Sequence, residues 1–596
     1  MSYAAPVKDI DFVLGRLIDP QSLAGAGEED GCSLDLARAV VDECARLNQE
    51  VVSPLNVAGD RIGSQRTGSE VTTPPGFVDA YHQYVDGGWQ GISHAAKHGG
   101  QGLPKVIGAA CMEMVQSANL AFSLCPLLTD GAIEALTTAA SDEVNNLYLK
   151  RLISGQWTGT MNLTEPQAGS DLALIRSRAE PEPDGTFRIS GTKIFITWGE
   201  HDLTENIVHL VLARTPTAPH GVKGISLFVV PKFRVDSNGA LGERNAVECV
   251  SLEHKLGIHA SPTAVMEYKG AIGHLVGEEN RGLEYMFVMM NAARFAVGMQ
   301  GIAVSAAAYQ KAATYAKERV QGRPVDGSSN SPVPIIEHPD VRRMLMEMLT
   351  LTESARALAY VVASYADLSK NAKDVAARKQ FAGLYEFLVP IVKAWSTEIS
   401  IDVANLGIQV HGGMGYIEET GAAQYLRDAR ILSIYEGTTA IQANDLLGRK
   451  LLRDQGSTAR VLLGMIDNTL EELEAPALVG VSSADSMRRS LQLGRDVLED
   501  STQLLLSRTR DEPKACFGVA VPYLKLCGLV LSGWQMARSL LCVLSSPSSD
   551  TAFDARKIAG AHFFATHLLP RAVAYASTIQ APKGLDEVMA LSADSF

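Results

Sequence analysis

The chain has 596 residues but only eight cysteines: Cys32, Cys44, Cys111, Cys125, Cys249, Cys516, Cys527 and Cys542. No pair has CxxC spacing and no Cys/His cluster has zinc-ligand spacing, which argues against a zinc module or a redox dithiol. Most lie in apolar helical contexts and read as buried thiols of a reducing compartment. Basic residues are also short, 53 against 67 acids, for a net charge of −14, and no Lys/Arg run occurs. A nucleic-acid binder needs a basic face, so no nucleic-acid partner is expected. No window reads as the ~18 consecutive apolar residues of a membrane span. The N-terminal MSYAAPVKDIDFVLG lacks the basic-then-apolar order of a secretory leader. The expectation is a cytoplasmic protein without membrane insertion. No GxGxxG follows a predicted strand, no GxxxxGK[ST] occurs, and no internal repeat is visible, so a nicotinamide-binding Rossmann domain is not expected.

What is present is a long, ordinary globular composition, 46% hydrophobic and 20% charged. Such a length predicts three or four domains. Residues 1–35 read as an N-terminal extension ending in the flexible AGAGEEDGCS. Residues 36–156 read as a helical domain, with helices over 34–52, 77–91, 107–124 and 129–153, and a loop by composition over 59–76. Near Trp157 the pattern changes to short strands over 187–197, 207–213, 225–230, 247–252, 264–268 and 274–276. Residues 157–277 therefore predict an antiparallel β-barrel or sandwich. Helical periodicity returns over 282–320, 338–368, 374–406 and 422–452, broken at Tyr435–Gly437, with a kink expected at Pro390. Residues 278–453 predict a four-helix bundle. Residues 454–596 read as an additional helical domain with no visible chemistry. The fold class is thus α+β multidomain.

The break in the last bundle helix carries the one conspicuous carboxylate. In ILSIYEGTTAIQANDLLGRK, Ile431 to Lys450, Glu436 stands between Tyr435 and Gly437. Thr438 or Thr439 caps the helix that follows. The apolar residues before it predict a carboxyl at the edge of an apolar wall, where its pKa rises towards neutrality and it becomes a general base. Spacing alone allows a plainer reading, an acid favouring the positive end of a helix.

Four motifs in a fixed order add to this. They are MNLTEPQAGSD from Met161 to Asp171, QVHGGMGY from Gln409 to Tyr416, LRDAR from Leu426 to Arg430, and YEGT followed by Ile441-Gln442. Together they resemble the acyl-CoA dehydrogenase family over roughly residues 40–450. The length and the extra C-terminal region resemble its long subfamily. The resemblance implies FAD-dependent α,β-dehydrogenation of an acyl-CoA thioester to the trans-2-enoyl-CoA. Glu436 takes the α-proton, and a hydride leaves the β-carbon for flavin N5. In the family the thioester oxygen is held by the base's own backbone N–H and a ribityl hydroxyl of FAD.

The other roles carry over position by position. Met161, Leu163 and Thr164 match the loop that contacts the isoalloxazine ring. Phe195, Ile196 and Thr197 match the segment on its other side, where many relatives have Trp instead of Phe195; without the resemblance, Met161, Leu163 and Ile196 read as barrel core. Arg319, Gln409, Gly412 and Gly413 match contacts to the FAD of a neighbouring subunit, so a homodimer sharing its FAD sites is implied. Thr438 is grouped with the cofactor contacts. Ser170, Asn291 and Arg294 match CoA contacts, with Asn where Asp is commoner at 291; Tyr435 and Gly437 are grouped with the substrate. Arg427 and Asp428 read as structural, paired within the bundle. The implied electron acceptor is an electron-transfer flavoprotein, although an acyl-CoA oxidase passing electrons to oxygen fits the same motifs. A DNA-protecting relative of the same fold fits the negative charge poorly. The subfamily points to short or medium acyl chains, thioether-containing ones included.

Overall fold

The computed structural model describes residues 3–23, 32–581 and 583–596. The predicted flexible AGAGEEDG stretch, residues 24–31, lies outside them. The rest of the predicted extension is not loose. Helix α1 (Val7–Arg16) buries Ile10, Val13 and Leu14. Its Asp9 meets Arg556 and Lys557, both at 2.7 Å.

The N-terminal domain continues with α2 (Leu34–Leu47), α3 (Leu55–Ile62), a small hairpin of β1 (Gln65–Thr67) and β2 (Glu70–Thr72), then α4 (Phe77–Asp86). Helix α3 and the hairpin lie where composition reads only as helix end and loop. Helices α5 (Lys105–Ala118), α6 (Leu120–Ala139) and α7 (Asp142–Ile153) follow. The expected break near Pro126 is displaced to Asn119. Asn119 is extended and its side chain accepts from Phe122 N at 3.1 Å, an N-cap that restarts the helix. Pro126 is carried inside α6.

The β-domain comprises β3 (Thr158–Asn162), β4 (Arg178–Pro181), β5 (Phe187–Thr197), β6 (Ile207–Ala213), β7 (Ser226–Pro231), β8 (Phe233–Val235), β9 (Leu241–Arg244), β10 (Val247–Leu252) and β11 (Thr263–Val276). Strands β8 and β9 pair as a separate hairpin. The main sheet runs β3-β6-β7-β11-β5-β4, with β10 also on β11. The two short strands predicted over 264–276 are one strand with register shifts. Its Thr263–Gly273 stretch pairs β5, while His274–Val276 pairs β7. Arg178 in β4 bridges Arg214 just past β6, which turns the sheet back on itself. One pair departs from the antiparallel expectation: β3 is parallel to β6.

The bundle is α8 (Gly282–Glu318), α9 (Pro339–Asn371), α10 (Val375–His411) and the broken pair α11 (Ala422–Leu432) and α12 (Thr439–Asn444). Helix α10 runs through Pro390 without interruption. Glycines let α8 and α10 touch: a Cβ on Gly301 would meet Ser396 O at 2.4 Å. Arg427 and Asp428 are structural: within the bundle Arg427 pairs with Glu418 (3.0 Å) and Asp428 accepts from Gln424 (3.4 Å), and both also tie the bundle to other domains. Arg427 pairs with Asp60 at 2.6 Å, and Asp428 accepts from Ile258 N at 2.6 Å.

The C-terminal region holds α13 (Ser457–Leu473), α14 (Ser482–Arg508), α15 (Pro513–Gly518), α16 (Ala520–Ser545), α17 (Thr551–Phe563), α18 (Ala572–Gln580) and α19 (Lys583–Met589). It packs on the bundle: Trp395 of α10 lies against Gly528 and donates to Ser532 at 2.9 Å. Three helices, α6, α8 and α16, are long and apolar enough to cross a membrane by length and composition, which corrects the expectation that no window approaches this. Most of each apolar window is buried inside the protein. Helices enclosed on all sides are apolar all round.

Candidate active site

The turn between α11 and α12 is built to hold one side chain in an unusual place. Tyr435 N still donates to Ile431 O (3.1 Å), but Glu436 then takes φ +53° and Gly437 φ +92°. A non-glycine residue at positive φ costs about 1–3 kcal/mol and persists only where its surroundings hold it. Here they do. Thr438 caps α12 by accepting from Ile441 N (3.3 Å), and Thr439 N closes back on Ser433 O (3.1 Å). Gln442 donates to Glu436 O (3.2 Å) and Gly437 O (3.3 Å), and Lys393 Nζ donates to Gly437 O at 2.7 Å. A φ of +92° strains any other side chain at Gly437, and a Cβ there would also meet Gln442 Nε2 at 2.7 Å. Thr438 is therefore a cap, with its hydroxyl engaged. Among the described residues nothing accepts from Glu436 N–H and nothing donates to its carboxylate.

Desolvation pushes the Glu436 carboxyl up to about 7, against the opposing pull of Arg294 and Lys393. Both cations are buried, and burial holds Lys393 down at about 8 and Arg294 below its usual range. Arg294 reaches Asp445 and the exposed Asn291, each at 3.4 Å, while its Nε is buried without a partner. Tyr435 leans across the turn and its hydroxyl donates to Gln300. Glu436, Tyr435, Gly437, Arg294 and Asn291 are thus brought together.

The β-domain supplies an apolar shelf. Ile194 N donates to Thr164 O (2.9 Å), so the end of β5 and the loop after β3 run side by side. Half-buried Met161, Leu163, Thr164 and Thr197 line this junction, and Phe195, at φ +59°, is 59% exposed. An exposed phenyl beside half-buried apolar residues fits one wall for a flat ring such as isoalloxazine. The Ile196 side chain is packed in the β-domain core, as the barrel-core reading has it, while Phe195 at a register shift in the strand points outwards. Beneath the loop, Glu165 and Lys193 form a buried ion pair at 2.8 Å, and Lys193 also donates to Leu163 O. Ser170 is exposed on the same loop, beside Asp171, and no contact ties it to Glu436 or Arg294.

Arg319, Gln409, Gly412 and Gly413 gather at the other end of the bundle. Arg319 N donates to Tyr315 O (2.8 Å), and the Tyr315 ring stacks on His411 with centroids 4.3 Å apart. All four are exposed, and a Cβ on either glycine would meet nothing within 4 Å. Helix rise places this end, at Glu318, roughly 36 Å along α8 from Arg294. The structure therefore brings the two sets of predicted residues to separate places.

Sequence reasoning missed Lys393, Gln300, Asp445 and the Glu165–Lys193 pair. A lysine within the apolar run VPIVKAW was the available signal for the first. A cavity of about 500 Å³ between α5, α6 and α8, containing the His94–Asp130 pair (2.7 Å), does not include Glu436 among its lining residues.

Sequence models of the acyl-CoA dehydrogenase N-terminal, middle and C-terminal domains match residues 38–156, 160–271 and 280–451. An acetyl-CoA dehydrogenase C-terminal-like model matches residues 462–592. The chain is 52% identical to the 3-methylmercaptopropionyl-CoA dehydrogenase of Ruegeria pomeroyi, over 96% of each chain. It is 32% identical to a butyryl-CoA dehydrogenase of Syntrophomonas wolfei, over 96% of this chain and 95% of that one. In fold it is similar to Caenorhabditis elegans ACDH-11 in complex with C11-CoA (TM-score 0.76, 20% identity, 95% and 91% covered). It is likewise similar to a Bacillus anthracis acyl-CoA dehydrogenase complexed with FAD (TM-score 0.72, 19% identity, 96% and 91% covered). Glu436 lies inside the matched C-terminal domain and the Phe195 shelf inside the matched middle domain, and the chain belongs to the acyl-CoA dehydrogenase family, FAD-dependent oxidoreductases that act on acyl-CoA thioesters.

Proposed function

We propose that this enzyme dehydrogenates 3-(methylthio)propanoyl-CoA, or a short acyl-CoA of similar shape, at the Cα–Cβ bond, with Glu436 as the base. The substrate reading is supported by the much higher identity to the Ruegeria pomeroyi relative than to the Syntrophomonas wolfei one. The base reading rests on one observation: a carboxyl pushed up to about 7 in a strained turn, with no donor on its oxygens among the described residues. A base with a pKa near working pH removes a weakly acidic proton well. As the Cα–H bond breaks, the proton passes to Glu436, and its unpartnered backbone N–H is left to hold the thioester oxygen. FAD, when bound, supplies the acceptor for the two electrons that leave the β-carbon as hydride. Met161, Leu163, Thr164, Phe195 and Thr197 would hold its ring. Tyr435 shields the turn from water, and Arg294 and Asn291 orient the CoA portion, together with Ser170.

The active unit is proposed as a homodimer, because Arg319, Gln409, Gly412 and Gly413 lie too far from Glu436 to serve the same ring within one chain. Tyr416, 85% exposed beside them, suits a partner surface. Electrons leave to an electron-transfer flavoprotein, in a reducing compartment that suits the eight free thiols. An anaerobic acyl-CoA panel read by flavin bleaching tests the substrate. Fastest bleaching by 3-(methylthio)propanoyl-CoA is expected; preference for a long linear chain would contradict the reading.

A further inference from the structure

Lys393 is fully buried on α10, and its ammonium has one hydrogen bond, to Gly437 O at 2.7 Å. It makes no ion pair within 4 Å among the described residues. Burying an ammonium costs several kcal/mol unless a specific partner compensates. A carbonyl alone compensates poorly. The remaining favourable interactions are electrostatic, with Glu436 and then Glu398. Glu398 is itself engaged, by Thr439 Oγ1 (2.6 Å) and Lys525 (3.1 Å). The lysine thus touches the carbonyl that follows Glu436 in the chain, and its charge acts on the Glu436 carboxylate.

We propose that Lys393 is a positioning residue for the base. Its ammonium fixes the Gly437 peptide in the strained turn and favours the ionised form of Glu436, so the base is free of its proton when substrate arrives. The proposal rests on Glu436 being the base. The charged and titratable groups around that carboxyl are Arg294 on α8, Lys393 and Glu398 on α10, Asp445 after α12, and Tyr435 on the turn itself. Arg294 has Asp445 as a second claimant, whereas Lys393 has no carboxylate in contact among the described residues. Gln442 donates to the same Gly437 carbonyl and to that of Glu436 but carries no charge.

The test uses the FAD-loaded enzyme and two variants, Lys393→Met, which keeps the length and loses charge and donor, and Lys393→Arg, which keeps the charge. Two readouts are taken from pH 5 to 9: the anaerobic bleaching rate at saturating acyl-CoA, and exchange of the substrate's α-proton for deuterium, read by mass spectrometry. Removing a cation beside a carboxylate raises its pKa. The Met variant is expected to move the rising limb of both profiles up by about one pH unit, and the Arg variant to return it towards wild type. A Met variant that binds FAD and keeps the wild-type limb would overturn the proposal. If the Met variant does not fold, the Arg variant decides: a wild-type limb supports the proposal, and a limb displaced upwards despite the retained charge overturns it. Glu436→Gln is run alongside. If it bleaches at the wild-type rate, the base assignment itself has failed; if its bleaching is lost as expected and Lys393→Met has a wild-type limb, only the role of Lys393 has failed.

Discussion

Two carboxylates, one in each half of the site, stand near a buried lysine, and they come out opposite. Glu165, under the loop that follows β3, accepts from Arg176 N (2.7 Å), Ser177 N (3.1 Å), Ser177 Oγ (2.6 Å), Gln167 Nε2 (2.6 Å) and Lys193 Nζ (2.8 Å). Burial alone would raise its pKa, but the Lys193 charge and these donors hold it down at about 2. Glu436 has two cations nearby and, among the described residues, no donor on its oxygens, and desolvation wins, at about 7. A cation in direct contact, together with hydrogen bonds made to the charged form, separates a permanent anion from a group able to exchange a proton. The first suits a fixed strut beneath a loop, and the second suits a base.

The sharpest way to break this contrast is to remove the exchangeable carboxyl. Glu436→Gln keeps the shape and cannot accept a proton, so bleaching by acyl-CoA is expected to fall about a thousandfold while the FAD absorbance is retained. Stopped-flow spectroscopy checks both. The matching change at the strut, Glu165→Ala, should act on stability instead. It leaves the Lys193 ammonium buried and unpaired, at a cost of about 3–5 kcal/mol, seen as a lower melting temperature and easier loss of flavin. If Glu165→Ala slowed proton abstraction without changing melting, the two sites would not differ as described.

The pH dependence of stability should also run in opposite directions. The folded pKa of Glu165 lies below its ordinary 4.5, so its contribution is present above that value and is lost as pH falls towards about 2. The folded pKa of Glu436 lies above 4.5, so its favourable contribution is present at low pH and is lost as pH rises through about 7. Melting temperatures of wild type and Glu436→Gln from pH 4 to 9 should therefore diverge, with the variant gaining relative to wild type towards pH 8. The smallest expected effect is at the cap of α12: Thr438→Ala should cost about 1 kcal/mol and leave bleaching at high pH within a few fold.

Much of this was legible in the residues. The break at Tyr435–Gly437 is visible because Gly437 and two threonines interrupt an apolar helical period, and the strands over 187–197 and 207–213 show as alternation and as a continuous apolar run. Arg178–Pro181 and Leu241–Arg244 were not legible, because short exposed edge strands carry little apolar pattern. Asn119 was overlooked as a helix start because Pro126 is the louder local signal, although a proline inside a buried helix can be tolerated. The network around Glu436 was hidden for another reason. Lys393, Gln300 and Arg294 come from α8 and α10, far apart in the chain, and periodicity reports that a position is buried without saying what it faces. The separation of Arg319 and Gly412 from Glu436 likewise needed the lengths of α8 and α10 in three dimensions.

The rate of anaerobic flavin bleaching by 3-(methylthio)propanoyl-CoA, measured from pH 5 to 9, tests the central claim most directly. A rate that rises with pH through a midpoint near 7, and that is absent at every pH in Glu436→Gln, is the predicted result. A flat profile in the wild type, or bleaching of the Gln variant at the wild-type rate, would contradict it.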